Sequence, residues 1–84
     1  MSNLVERNNK LQEKILQNVE KELKKQGIPK DKYVEFFLNE TPMTESRLTR
    51  IFDRTSKMPI TIKEFFYMAV ALKVEPASFY KDVD

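Results

Sequence analysis

Thr44, Ser46, Arg47, Thr49 and Arg50 crowd small hydroxyls and two guanidinium groups into one short stretch of the chain. On a helix, such groups can reach the edges of base pairs. A guanidinium matches guanine O6 and N7 through two parallel hydrogen bonds. Ser and Thr hydroxyls bond bases or phosphates. Glu45, among them, can accept from a cytosine amino group or repel a phosphate. Arg54 and Lys57, just beyond, suit contacts to phosphates, each of which would add to the salt dependence of binding. The same residues also suit a bland alternative, the solvated outer surface of a plain helical bundle.

Charge is distributed in the same sense. Residues 44–63 carry Arg47, Arg50, Arg54, Lys57 and Lys63 against Glu45 and Asp53, whereas residues 64–84 carry two bases against four acids. The net charge of +2 is small, but a positive middle and a negative end fit a one-sided basic face. The chain has no Cys and no His. That inventory excludes disulfides, thiolate metal sites, zinc fingers and histidine-based hydrolytic triads. No cofactor, metal or small-molecule ligand is expected, and no enzyme. No apolar run approaches the roughly 20 residues that span a bilayer, and no signal-peptide core opens the chain, so a cytoplasmic protein without membrane contact is expected.

These groups need helices to position them. The 84 residues suffice for one domain, 33% charged and 40% hydrophobic, a mixture that suits a soluble helical fold. Leu4, Leu11, Ile15, Val19 and Leu23 predict one long helix over residues 3–26, with residues 1–10 a polar extension of it. Gly27 reads as its C-terminal cap, followed by Pro29. A second helix is expected from Pro29–Lys30, with Tyr33, Phe36 and Phe37 apolar, stopping by Thr41 because Pro42 follows. Thr41 or Thr44 can cap a third helix over residues 44–55, whose buried stripe is Leu48, Ile51 and Phe52. Thr61 and Glu64 form a capping box for a fourth helix running to about Leu72. Pro76 opens a short fifth, Ala77 to Lys81, with Phe79 and Tyr80 apolar. No stretch has the period of a strand, so the class is all-α.

From about Val19 to Tyr80 the chain resembles the Cro/phage-repressor (XRE-like) helix-turn-helix family. The resemblance is carried by the stretches Gly27–Val34, Ser46–Phe52 and Phe65–Val74, the last an apolar-x-x-apolar-Ala-x-Ala-Leu-x-Val run followed by an aromatic-bearing short helix. It implies a single five-helix, lambda-repressor-like domain over residues 1–84 with a long first helix. It further implies that the helix beginning at Thr44 reads the major groove, with Thr44, Glu45, Ser46, Arg47, Thr49 and Arg50 facing bases. The helix beginning near Pro29 would cross the backbone, so that Lys30, with Arg54 and Lys57, would meet phosphates. Two features depart from the family pattern. The connection Leu38–Met43 is longer, contains Pro42 and lacks Gly, and Val34 stands where a small residue is usual.

In the Phe65–Met68 run, Phe65, Met68, Ala69 and Leu72 supply one buried stripe. Phe66, Tyr67 and Val70 point elsewhere, either under the first helix or, as an exposed cluster, toward a second copy. The resemblance favours a homodimer that reads a palindromic operator. The expected function is a DNA-binding transcriptional repressor of the phage or mobile-element type. The alternative is a protein-interaction module, an antirepressor or adaptor, using Phe66, Tyr67 and Val70.

Overall fold

The computed structural model describes residues 2–80, with side chains from Lys10 onward. The side chain of the stripe residue Leu4 and the expected helix end at Lys81 lie outside what is described. Among the described residues there are four α-helices and no strand: α1 (Ser2–Lys25), α2 (Tyr33–Glu40), α3 (Glu45–Phe52) and α4 (Ile62–Leu72). Short 3-10 turns precede α2 (Lys30–Lys32) and follow α4 (Pro76–Tyr80). The fold is all-α as expected, but the fifth element is this last 3-10 turn and not a helix of its own. It is held by Ser78, whose N–H and hydroxyl both donate to the Glu75 carbonyl, at 2.9 and 2.6 Å. Its work is packing, since Phe79 is 1% exposed.

The long helix α1 buries Ile15, Leu16, Val19 and Leu23, while Leu11 is exposed. Leu16 lies outside the expected stripe. It is buried because α1 meets the α3–α4 loop as well as α4 and the final turn, which widens its apolar face. Three side-chain amides fasten it. Gln12 exchanges hydrogen bonds with the Ile60 backbone, donating at 2.9 Å and accepting at 2.8 Å. Asn18 donates to the Phe79 carbonyl at 2.8 Å and Gln26 to the Leu72 carbonyl at 2.7 Å. Hydrophobic burial is non-directional; these bonds to backbone set the helix in register against three later segments.

The second helix begins later than Pro29–Lys30. Pro29 is extended (φ −70°, ψ 154°) and the next residues make one 3-10 turn before α2 starts at Tyr33. Its end follows the proline rule: Thr41, before Pro42, is extended at φ −137°, ψ 165°. The Thr41 hydroxyl donates to the Phe37 carbonyl at 2.6 Å and accepts from the Met43 N–H at 3.2 Å, which folds the connection back. Phe37 is fully buried and stacks on Phe52 of α3 at 5.9 Å, while Tyr33 meets the same ring at 5.5 Å. Thr44 caps α3, its hydroxyl accepting from the Arg47 N–H at 3.2 Å. The capping box of α4 forms as expected, and Phe65, Met68, Ala69 and Leu72 are all buried.

Three helices end in one way. After α1 the Ile28 N–H bonds the Leu23 carbonyl and Gly27 bonds Lys24, with Gly27 at φ +82°. After α3 the Thr55 N–H bonds Arg50 and Arg54 bonds Ile51; after α4 Val74 bonds Ala69 and Lys73 bonds Val70. These are paired Schellman bonds around one left-handed residue. Only the first is glycine; Arg54 and Lys73 adopt φ 61° and 59°. Arg54 therefore stops α3 at Phe52, short of the expected residue 55. A Cβ on Gly27 would meet nothing within 4 Å, so only backbone strain opposes it. Gly27→Ala should cost about 1 kcal/mol of unfolding free energy and Lys73→Gly should add a smaller amount, both read by chemical denaturation.

Candidate nucleic-acid interface

Helix α3 buries Leu48 and Ile51 and turns Glu45, Ser46, Thr49 and Arg50 outward. At spacings of one and four these four residues form one strip along the helix. The Arg50 side chain makes no hydrogen bond or ion pair among the described residues, so its guanidinium is free for an outside acceptor. Thr44, at the N-terminal end of the strip, is exposed; its oxygen accepts from Arg47, leaving its O–H to donate.

Arg47 does not join this strip. Its Nε and Nη2 donate to both oxygens of Glu64 at 2.7 and 2.8 Å. Nη1 donates to Ser56 Oγ at 2.6 Å and the Met58 carbonyl at 3.3 Å, and Nη2 to the Pro59 carbonyl at 3.0 Å. A fork with all its directions occupied inside the protein has nothing left for a base edge. Expected on the base-reading face, the group instead ties α3 to the loop and to the N-terminus of α4.

Arg54 is engaged in the same manner. It grips Glu13 at 3.1 and 2.9 Å and Glu20 at 2.8 and 3.0 Å, and donates to the Phe52 carbonyl at 3.1 Å. Glu13 and Glu20 lie seven residues apart, two turns of α1, so one guanidinium spans both. The expected phosphate contact is thus occupied by carboxylates of the same chain. Lys30 and Lys57, the other two expected phosphate contacts, are exposed and without an ion pair among the described residues. Lys57 lies in the α3–α4 loop beside a cleft of about 240 Å³ between that loop and α1.

The expected dimer residues separate. Phe66 and Val70 are 54% and 62% exposed, but Tyr67 is half-buried against the core with Lys63 over its ring at 5.9 Å. Ile62, which sequence reading does not single out, is 79% exposed. Ile62, Phe66 and Val70 are spaced by four and make the exposed stripe; that spacing is the signal by which sequence could have found it. Among the described residues no group of acids could hold a metal ion, and no helix is long and apolar enough to cross a membrane.

The ion pairs set charge states. Hydrogen bonds from Arg47 hold the Glu64 carboxyl below the ordinary glutamate range, outweighing partial burial, which acts the other way. Hydrogen bonds from Arg54 do the same for Glu13. Reciprocally, bonds to Glu64 raise Arg47, and bonds to Glu20 and then Glu13 raise Arg54. A lowered carboxyl binds its proton less readily folded than unfolded. Its contribution to stability is therefore complete above the ordinary glutamate value and is lost as pH falls through the folded one. Denaturation midpoints should fall on acidification below about pH 5, and Glu64→Gln should flatten that fall while lowering stability at pH 7. An unchanged pH profile in Glu64→Gln would remove Glu64 as a source of acid sensitivity.

No family model, no curated protein and no solved structure matches this chain.

Proposed function

We propose that the chain is a DNA-binding transcriptional regulator that lays the outer strip of α3 into the major groove. The observation that carries this reading is the strip itself. Glu45, Ser46, Thr49 and Arg50 stand exposed on a helix capped by Thr44, with Arg50 unpaired among the described residues. Arg50 is the group that bonds guanine; Ser46 and Thr49 adapt to base or phosphate. Lys30 and Lys57 supply backbone contacts. Arg47 acts as a positioning residue, because it fixes the inner side of the helix whose outer side meets DNA. Helices α2 and α3, joined through Thr41–Thr44 and packed by Phe37 on Phe52, form the helix-turn-helix of this reading. Binding in this way would repress by occluding a promoter.

A second copy fits the same function. The stripe Ile62, Phe66 and Val70 pairs two chains about a two-fold axis, which doubles the DNA contacts and matches a palindromic operator.

The test is a titration of the protein with the DNA upstream of its own reading frame and with a scrambled duplex, at two salt concentrations. Tight, salt-weakened binding to the upstream duplex supports the reading. Equal weak binding to both, or none, overturns it in favour of a protein-interaction module. Within a binding protein, Arg50→Ala should lose about 1–3 kcal/mol for the upstream duplex with an unchanged melting temperature. Arg47→Ala should instead lower the melting temperature itself. Phe66→Glu should convert a dimer to a monomer in sedimentation; an unchanged mass would remove the α4 stripe as the pairing surface.

A further inference from the structure

A shallow groove of about 340 Å³ runs between the C-terminal half of α1 and the start of α2. Its walls are Gln17, Glu20, Lys21, Lys24, Lys30 and Tyr33. Gln17, Lys21 and Lys24 follow one another at spacings of four and three, so they share a face of α1. Lys30 stands opposite, in the 3-10 turn before α2. Among the described residues none of the three lysines makes an ion pair, whereas Lys32 close by pairs with Glu35 at 3.3 Å. The single acid of the groove, Glu20, has both oxygens bound by Arg54. Three lysines against this one engaged acid set the sign of the groove.

The groove also has a defined place beside α3. Tyr33, which lines it, meets the Phe52 ring at the C-terminal end of α3 at 5.5 Å. Glu20 meets Arg54, two residues past that end, at 2.8 Å. Two independent contacts therefore fix the lysine groove next to the end of the proposed recognition helix.

We infer that this groove is a backbone clamp: Lys21, Lys24 and Lys30 hold phosphodiester groups of duplex DNA while the strip of α3 faces the bases. The inference rests on the DNA-binding reading and adds to it Lys21 and Lys24, residues on α1 to which that reading gives no part. Lysine suits the task, as a compact charge on a flexible stem that follows a phosphate without demanding one geometry. Such contacts hold the protein on any sequence and carry no base preference. Arg54 serves the groove indirectly. By binding both oxygens of Glu20 it holds the one carboxylate of the groove against a positive charge.

The experiment compares the full chain with the K21A/K24A/K30A variant against the upstream and the scrambled duplex over a range of salt. The variant should bind both more weakly by one common factor, on the order of tenfold or more at low salt. The slope of log affinity against log salt should flatten by roughly 0.9 for each phosphate that is no longer neutralised. K21R/K24R/K30R, which keeps the charges, should retain the slope. The single variant Lys24→Ala, with one exposed side chain changed, should lower the slope by about one and melt as the parent does. If the parent binds DNA and the alanine variants keep its slope, the clamp is overturned and the α3 reading stands. Selective weakening toward the upstream duplex alone would also overturn it, by placing the lysines among base contacts. If the parent binds neither duplex, clamp and reading fall together.

Discussion

One guanidinium joins α3, the loop after it and the start of α4. Arg47 leaves α3 on its inner side and ends among a carboxylate, a hydroxyl and two backbone carbonyls. Its partner Glu64 also accepts from the Thr61 N–H at 2.9 Å and so closes the capping box of α4. The start of one helix, the middle of another and the irregular loop between them are thus bonded through one planar group. Paired forks of this kind are short and direction-specific, which is what holds a loop that has no ladder of its own. The Ser56 hydroxyl completes the arrangement by donating to the Met58 carbonyl at 2.8 Å. With the inner edge of α3 held in this way, its outer strip is presented in one orientation.

The same economy of means recurs along α1. A chain of 84 residues encloses a small core, to which its longest helix brings Ile15, Leu16, Val19 and Leu23. Apolar contact holds α1 down, while Gln12, Asn18 and Gln26 specify where it lies by bonding backbone at Ile60, Phe79 and Leu72. Arg54 adds a fourth attachment and accepts a left-handed backbone to make it. An L-residue in that conformation carries a strain of about 1–2 kcal/mol. Four charge-assisted hydrogen bonds to two carboxylates offset it. They have a second effect on the surface. With Glu20 engaged by Arg54, the three lysines of the neighbouring groove outnumber its one acid.

The two arginines show how a correct helix can still mislead about a site. Arg47 and Arg50 are separated by three positions, and both belong to a helix that starts where it is expected and ends early. Position on the helical wheel alone leaves Arg47 at the margin between buried and exposed. Glu64 decides its direction, and with it Ser56 and the carbonyls of Met58 and Pro59. Tyr67 poses the same problem on α4. Its ring is drawn against the core, and Ile62 takes its place beside Phe66 and Val70 on the exposed stripe.

Features that depend on neighbours within a few positions are legible in the sequence. Thr44 and Thr61 cap their helices, Gly27 ends α1, Pro42 ends α2, and the periodic apolar residues of α4 are buried, as are Leu48 and Ile51 of α3 with Phe52 partly so, because each involves bonds or spacings of five residues or fewer. Pro76 reads as the opening of a helix, yet the chain there makes only a 3-10 turn anchored by Phe79. Tertiary structure decides which charged groups remain available. Arg47 meets Glu64 across 17 positions, and Arg54 meets Glu13 and Glu20 across 41 and 34. It likewise buries Leu16, stops α3 at Phe52 and brings Lys30 opposite Lys21 and Lys24. No local pattern encodes those pairings: they come into being only when α1 is laid across the segments that follow it, and an ion pair exists only where folding has brought its two charges within reach.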